Sequence, residues 1–234
     1  NINLGGITAE GKDAVNVVSY ILLDVIEEMR LLQPSSNIQL SKQNPDAFLK
    51  RALKIIKTGF GQPSIFNADV VVQEMLRMGK SVTDARNGGT SGCVETGAFG
   101  KENYNLTGYF NLVKVLELTL HNGFDPHTQK QVGPQSGEAT AFTEFEDLWK
   151  AFLTQLNHFI DVKIRGNQII ERLYANFLPV PFLSLLVDDC IATGKDYHDG
   201  GARYNISYIQ GVGMGSITDM LTAIRTHIYE EGTI

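Results

Sequence analysis

The chain has 234 residues, which is enough for one large domain or two small ones. Hydrophobic residues make up 43% of it and charged residues 20%, a composition typical of a globular protein with a sizeable core. Because the net charge is −6 and no run of Lys or Arg stands out, we expect neither a nucleic acid nor an anionic membrane as a partner.

The patterns of apolar residues, cysteines and histidines further narrow the class of protein that the sequence predicts. No apolar run approaches the ~18 residues that cross a bilayer, so no membrane span is predicted. The two cysteines, Cys93 and Cys190, form no CxxC pair and the five histidines show no HxH or HxxxH spacing, so no metal site is predicted. So few cysteines are typical of the reducing cytoplasm. The chain begins Asn1-Ile2 without Met or a signal-peptide pattern, which predicts an internal segment of a longer polypeptide.

The first third of the chain has a helical spacing of apolar residues in three places. We predict one helix from Asp13 to Leu32 and another from Pro45 to about Thr58. In Asn44-Pro45, the asparagine is the predicted cap and the proline the first helical residue of the second helix. Residues 59–67 mix turn formers with apolar residues and predict a strand or tight loop, and a short helix follows over residues 68–79.

The second half of the chain is predicted to be mainly helical. An apolar stripe from Tyr109 to Leu120 predicts a helix that ends at Asn122-Gly123. Residues Thr143 to Glu146 fit a capping box that opens a long helix to about Asn176. Three more elements are predicted downstream: a helix over residues 182–192, a strand over residues 206–210 and a helix from about Ser216.

Residues 87–100 form a glycine-rich stretch that holds five glycines around a single Cys and a single Glu. If the backbone is extended there, period-two geometry puts Cys93 and Glu95 on the same side. Such a loop would deliver a thiol and an acid/base group to one substrate. From the residues alone, the alternative is a surface turn with a small buried Cys and a solvated Glu.

Two other motifs admit a catalytic interpretation. Residues Gly211 to Gly215 lie between a strand-like run and a helix, as a phosphate loop would, but the glycine spacing does not fit GxGxxG and no Walker lysine follows. A tight strand-to-helix turn is therefore favoured. His198, flanked by Asp196 and Asp199, could serve Cys93 as the base of a cysteine hydrolase, although a solvated turn histidine is the simpler interpretation.

The residues around Cys93 resemble the cysteine loop of glycyl radical enzymes, the superfamily of pyruvate formate-lyase. The resemblance lies in Ser-Gly-Cys-Val-Glu-Thr-Gly and extends, in order, over essentially the whole chain through residues 61–67, 200–205 and 211–219. The eliminases of that family carry Gly-Cys-Val/Ile-Glu. Pyruvate formate-lyase carries two adjacent cysteines, and this chain has Gly92 where the first would stand. Thr96 and the Leu-Thr-Gly-Tyr-Phe-Asn run are most similar to the trans-4-hydroxy-L-proline dehydratases.

The resemblance implies an α/β fold, namely a helix-rich part of a ten-stranded barrel whose central cysteine finger loop runs up the inside. Residues 1–234 would be an internal segment of the pyruvate formate-lyase-type catalytic barrel domain. In the family the glycyl radical lies on a loop with the pattern Arg-Val-x-Gly-Tyr. That pattern has no counterpart in the sequence, so the C-terminal glycine radical domain is expected to lie outside this chain.

The resemblance also implies a carbon–oxygen lyase. On that basis Cys93 becomes a thiyl radical that abstracts hydrogen, and Glu95 manages the proton at the leaving oxygen. The implied reaction removes water from trans-4-hydroxy-L-proline to give 1-pyrroline-5-carboxylate. Tyr109 and Phe66 are the expected substrate-binding residues. The implied cofactor is a glycyl radical on a loop outside this chain, with no metal or nucleotide bound by this segment.

The expected partners are a small-molecule substrate, an S-adenosylmethionine iron–sulfur activating enzyme and a second copy in a homodimer. Several alternatives stay open within the family: a choline trimethylamine-lyase, a glycerol or propanediol dehydratase, and a formate C-acetyltransferase-like protein. An inactive scaffold is the alternative outside enzymes. The 234 residues alone are expected to be inactive because the glycine loop is missing from them.

Overall fold

In the computed structural model of the chain, which describes residues 1–92 and 94–233, three short strands near the start form a parallel sheet. These strands are β1 (Ile2–Gly5), β2 (Ser36–Leu40) and β3 (Ser64–Asn67), in that order across the sheet, and α1 (Val17–Met29) and α2 (Asp46–Ile56) connect them. Parallel neighbours need such crossover helices because the chain must return to the same end of the sheet.

The two faces of this sheet differ in chemistry. Leu4 and Ile38 are register partners on β1 and β2, and they pack with buried apolar residues of α1 and α2: Leu23, Ile26, Phe48, Ala52 and Ile55. Since successive strand residues point to opposite faces, Asn37 and Gln39 lie on the other face, where they are also buried. One face therefore builds a core, and the other presents buried amides.

The next elements lead into the glycine-rich stretch. They are α3 (Ala68–Arg77), α4 (Val82–Arg86), β4 (Gly89–Thr90), β5 (Thr96–Gly97) and β6 (Glu102–Asn111). Asn67 caps α3 and Ser81 caps α4, each through its side-chain oxygen. Strands β4 and β5 pair antiparallel, so the glycine-rich stretch is a short β-hairpin.

A helical layer follows β6. It contains α5 (Leu112–Leu120), the strand pair β7 (Phe124–Asp125) and β8 (Lys130–Gln131), and the long α6 (Phe145–Phe177). The last third of the chain contains α7 (Pro181–Leu186), α8 (Cys190–Thr193), β9 (Tyr204–Val212) and α9 (Met214–Ala223), which continues as a π-helix over Ile224–Glu230. Strand β9 pairs with β6.

The chain divides into two compact units. The first contains Asn1–Tyr104 and Pro179–Ile206, and the second contains Asn105–Leu178 and Ser207–Ile234. The first unit holds the parallel sheet, the hairpin and their core. The core of the second unit forms where α5, α6 and α9 meet, around Val115, Leu116, Phe152 and Ile217.

The predicted α/β class is confirmed, as are the strand over residues 206–210 and the tight turn before α9. That turn has Gly213 at a φ of 86°, a left-handed conformation that favours glycine. Asn122 and Gly123 also have positive φ, as the predicted left-handed end of α5 requires.

Four local predictions were wrong. Tyr109 lies on strand β6, so the apolar stripe becomes helical only from Leu112. The helix predicted over residues 182–192 is interrupted over residues 187–189, where Val187 is extended and Asp189 has a left-handed φ of 77°. Pro45 is the N-cap of α2, with no side-chain capping bond, because the Asn44 side-chain oxygen accepts from the Ser41 N–H and its NH₂ group donates to Gly6 and Asp13. The capping box of α6 pairs Glu144 with Asp147 rather than Thr143 with Glu146.

Candidate active site

The hairpin β4–β5 carries two of the residues predicted to be catalytic. Gly89 pairs with Gly97 and Thr90 with Thr96, and the Ser91 N–H donates to the Glu95 carbonyl at 2.7 Å to close the turn. Cys93 lies outside the described residues, so its predicted position on the same side as Glu95 stays a prediction.

Both paired glycines are required by close packing. A Cβ at Gly89 would lie 2.8 Å from the ring of Phe99, and a Cβ at Gly97 would lie 2.6 Å from a Glu102 carboxylate oxygen. At such distances a larger residue fits only if the neighbouring side chains or the backbone shift. The hairpin thus fits tightly against side chains on both of its arms.

Glu95 is half-buried, and its carboxylate turns back onto the hairpin. Its Oε2 accepts a hydrogen bond from Ser91 Oγ at 2.9 Å and one from the Val94 N–H at 3.3 Å. Donors of this kind fix the orientation of a carboxylate. Glu95 is therefore only partly exposed, and its carboxylate has a defined direction within the loop.

The first arm of the hairpin is held by the amide face of the parallel sheet. Thr90 is fully buried, and its carbonyl accepts from Asn3 Nδ2 at 3.0 Å and from Asn37 Nδ2 at 3.1 Å. Its hydroxyl accepts from Gln39 Nε2 at 2.6 Å and from Asn37 Nδ2 at 3.1 Å. We call Asn3, Asn37 and Gln39 the amide cradle.

The second arm is held by a buried ion pair. The Ala98 N–H donates to Glu102 Oε2 at 2.7 Å, and Glu102 Oε1 lies 2.9 Å from Lys80 Nζ. Neither charged side chain is exposed at all. Two charges are retained in such a place only when each is well paired, because desolvation of either one alone is costly.

Tyr104 adds a buried hydroxyl beside the same arm. Burial raises the pKa of its phenol well above the ordinary value, and the nearby Glu102 carboxylate raises it further. Tyr104 therefore stays neutral at every physiological pH, so it presents a dipole rather than a charge to the hairpin.

Asp84 links α4 to Lys101, just before β6, and to Arg203 and Tyr204 at the start of β9. Its carboxylate binds Lys101 Nζ, accepts from the Tyr204 hydroxyl at 2.8 Å and lies 3.4 Å from the Arg203 guanidinium. Burial alone would raise the pKa of Asp84, but the hydrogen bonds from Lys101, Tyr204 and Ser81 hold that pKa below its usual range. This network fixes the chain on both sides of the hairpin's second arm.

The two predicted substrate-binding residues lie in different units. Phe66 is half-buried on β3 and is the register partner of Gln39, so it shares the face of the sheet that holds the hairpin. Tyr109 is 65% exposed on β6, in the second unit. Their predicted contacts with substrate stay predictions.

The structure gives less support to the other candidate features, which are a catalytic His198, a metal site and a membrane span. His198 lies in a short 3-10 helix, where its backbone N–H donates to Asp196 Oδ1 at 2.9 Å. No group of three His, Cys, Asp or Glu able to hold a metal occurs among residues 1–92 and 94–233. Over the same residues, no helix is both long and apolar enough to cross a bilayer.

Sequence reasoning missed the residues that hold the hairpin. Asn3, Asn37, Gln39, Lys80 and Glu102 were not singled out. A signal existed for the amide cradle, because Ser-Asn-Ile-Gln-Leu over residues 36–40 alternates polar and apolar residues as a strand does. No local signal indicates that Lys80 and Glu102, 22 positions apart, form a buried pair.

Comparison with known proteins places this geometry in a family. A profile of the pyruvate formate lyase-like family matches residues 1–234. Trans-4-hydroxy-L-proline dehydratase of Clostridioides difficile is 56% identical over 231 residues, which make up 99% of this chain and 29% of that protein. The chain thus spans less than a third of the length of that relative.

Solved structures agree with this assignment. Hydroxyproline dehydratase of Clostridioides difficile, with trans-4-hydroxy-L-proline bound, matches with a TM-score of 0.96 and 56% identity over 100% of this chain and 30% of that one. The B12-independent glycerol dehydratase of Clostridium butyricum matches with a TM-score of 0.92 and 37% identity over 99% of this chain and 29% of that one. A glycyl radical enzyme of Archaeoglobus fulgidus matches with a TM-score of 0.89 and 32% identity over 97% of this chain and 29% of that one. The predicted resemblance is confirmed: the chain belongs to the pyruvate formate lyase-like family.

Proposed function

We propose that this chain is the cysteine-loop part of a glycyl radical dehydratase that removes water from trans-4-hydroxy-L-proline to give 1-pyrroline-5-carboxylate. The observation that carries the proposal is the Glu95 carboxylate, held in one direction by the hairpin two residues after Cys93. The 56% identity to a hydroxyproline dehydratase supports this substrate. Residues 1–234 would then be a segment of the catalytic barrel domain.

The reaction needs a radical because ordinary acid/base groups do not remove hydrogen from an unactivated C–H bond. The glycyl radical, on a loop outside this chain, supplies the unpaired electron. The hairpin suits the approach of such a loop: Val94 is 62% exposed, and a Cβ at Gly92 would meet no atom closer than 3.7 Å. The described residues on either side of Cys93 therefore leave room for a second backbone.

Each residue type has a distinct task in this chemistry. The S–H bond is weak enough for a nearby radical to open and strong enough for the resulting Cys93 sulfur radical to take a hydrogen atom from the substrate carbon next to the one that bears the hydroxyl. After water has left, the Cys93 thiol returns that hydrogen atom to the product radical. Glu95 delivers a proton to the leaving hydroxyl oxygen, which departs as water. A positioned acid contributes about 10²–10⁴-fold to such a step. Phe66 and Tyr109 are retained as proposed substrate contacts.

The proposal includes partners and a location. An S-adenosylmethionine iron–sulfur enzyme would generate the radical, and the active protein would be a homodimer in the cytoplasm. The buried Cys190 thiol, whose pKa is raised by burial and then by Asp196, agrees with a protein that keeps its cysteines reduced.

Electron paramagnetic resonance and product analysis test the function on the whole natural polypeptide that contains this chain. After activation we expect a doublet signal that is lost in air, and water elimination from hydroxyproline rather than from choline, glycerol or propane-1,2-diol. Cys93→Ser should fold and keep the doublet but lose all turnover. Cys190→Ser is the matched control and should keep turnover. Dehydration by the Cys93→Ser protein would contradict the role of that sulfur.

One alternative function has support of its own. The similarity to a glycerol dehydratase, at 37% identity, favours a small diol as the second candidate substrate, and the same product analysis decides between them. Formate C-acetyltransferase chemistry is disfavoured because Gly92 replaces the first of two cysteines. An inactive scaffold would yield neither the doublet nor a product.

A further inference from the structure

The hairpin has too few backbone hydrogen bonds to fix its own position. Its ladder contains two residue pairs, Gly89 with Gly97 and Thr90 with Thr96. Isolated two-stranded hairpins of larger size are already marginal in water. The position of the hairpin, and with it the place at which Ser91 and Val94 hold the Glu95 carboxylate, therefore depends on the surfaces against which the hairpin packs.

A continuous chain of hydrogen bonds runs from the parallel sheet to the Glu95 carboxylate. Asn37 Nδ2 donates to the carbonyl and hydroxyl of Thr90 and, at 3.3 Å, to the carbonyl of Ser91. Ser91 in turn donates its N–H to the Glu95 carbonyl and its hydroxyl to Glu95 Oε2 at 2.9 Å. Asn37 on the sheet and the acid on the loop are thus joined through one residue.

Thr90 uses every hydrogen-bonding capacity of its hydroxyl within this chain. The oxygen accepts from Gln39 Nε2 and Asn37 Nδ2, and the hydroxyl faces Asn3 Oδ1 at 3.5 Å. Gln39 Nε2 also donates to Asn3 Oδ1 at 2.8 Å, so the members of the amide cradle hold one another. Networks of fully satisfied buried groups specify one arrangement.

We propose that Thr90 and Ser91, held by the amide cradle, are positioning residues for the reaction and act through Glu95. The inference rests on the proposed function, in which Glu95 delivers the proton to the leaving group. Thr90 touches no substrate; it fixes the arm from which Ser91 orients the carboxylate. Displacement of a reacting group by about 1 Å costs on the order of 100-fold in rate.

A double-mutant cycle on the activated whole polypeptide tests this, with turnover expressed per glycyl radical counted by electron paramagnetic resonance. Thr90→Val removes the hydroxyl at nearly constant shape and should lower turnover at least tenfold. In the Glu95→Gln background the same change should cost less than twofold, because the group it positions is already lost. Coupling of this kind marks residues that act through one another.

Thr119→Val is the matched control. Thr119 is also fully buried, but its hydroxyl donates to the Val115 carbonyl within α5. We expect unchanged turnover in both backgrounds. If Thr90→Val does not fold, Ser91→Ala, at a half-buried position, carries the same test through the loss of the Ser91 hydroxyl.

Hydrogen exchange provides a second measurement alongside the double-mutant cycle, and it does not depend on turnover. In the unactivated protein, hydrogen exchange at the Ser91 amide should rise about tenfold in Thr90→Val and stay unchanged in Thr119→Val. The inference would be overturned if Thr90→Val lowered turnover by the same factor in the native and Glu95→Gln backgrounds. It would also be overturned if Thr90→Val left turnover unchanged. Cys93→Ser in the same series separates the two failures, because activity of that variant would overturn the proposed function itself.

Discussion

Glu95 differs from an exposed glutamate in the donors that surround its carboxylate. Ser91 and the Val94 N–H orient Oε2, and the rest of the side chain lies half-buried in the hairpin. An acid held in one direction transfers a proton to one place, which is what elimination of a hydroxyl requires. Proton transfer would therefore depend on the carboxyl group of Glu95 itself rather than on the net charge of the loop.

Glu95→Gln tests this at the level of one atom. The amide keeps an oxygen for the Ser91 hydroxyl, so substrate affinity should be unchanged. Dehydration should fall by about 10²–10⁴-fold because the amide is far too weak an acid to transfer a proton. Steady-state kinetics and calorimetric titration of substrate measure the two quantities. Glu28→Gln, at an exposed position of α1, is the control. A large fall in affinity with turnover intact would contradict the acid role.

Two pairs of residues show which roles can be predicted from the sequence and which cannot. Cys93 and Glu95 stand out because a Cys and an acid two positions apart in a glycine-rich stretch are a local pattern. Lys80 and Glu102 do not, since each alone reads as a surface charge, and only the fold buries them together. Residues whose role depends on a distant partner are invisible to local patterns.

The hairpin, taken as an element, fits its surroundings through its glycines. A Cβ at Gly97 would lie 2.5 Å from Tyr104 Cζ and 2.6 Å from Glu102 Oε2. Neither neighbour can move easily, because Glu102 is fixed by Lys80 and Tyr104 is enclosed. The second arm therefore has one position available.

Gly97→Ala should destabilise the protein by about 1–3 kcal/mol, the usual cost of overpacking. Urea unfolding of the whole polypeptide measures this. Gly166→Ala, inside α6 with no atom within 4 Å of the added Cβ, should instead be neutral or stabilise by up to about 1 kcal/mol. Similar destabilisation by both variants would show that the close contacts of Gly97 have no special weight.

At the element scale, helices were predicted better than strands. The long α6 and the helices α1 to α3 follow an apolar period that local sequence reveals. Strands β1 and β2 were missed because they are only four and five residues long, so the polar–apolar alternation in each is too short to stand out. Tyr109 was assigned to a helix because α5 begins directly after β6.

Across the whole molecule, acidic groups in both units are ionised more readily than usual. Asp84 belongs to the first unit. In the second, hydrogen bonds from Lys114 and Thr128 hold the pKa of Asp125 below its ordinary range. A carboxyl whose pKa is lower in the folded than in the unfolded state contributes stability above its unfolded pKa and loses it as pH falls.

We therefore expect stability that is constant near neutral pH and falls below about pH 5, continuing down through the lowered pKa values. Asp84→Asn should flatten this fall, because it removes one group that takes up a proton on unfolding. Urea midpoints of the whole polypeptide between pH 7 and pH 3 measure the slope. Asp219→Asn, at an exposed position on α9, should leave the slope unchanged. An unaltered slope in the Asp84→Asn protein would contradict the assignment.

The unequal faces of the parallel sheet have one more consequence. Side chains on a strand alternate between faces, so a slip of β2 by one residue would move Ile38 under the hairpin and drive Asn37 and Gln39 into the apolar core. The apolar core between α1, α2 and the sheet therefore disfavours a one-residue slip that would misplace the hairpin. The position of the hairpin thus depends on apolar packing against the opposite face of the same sheet.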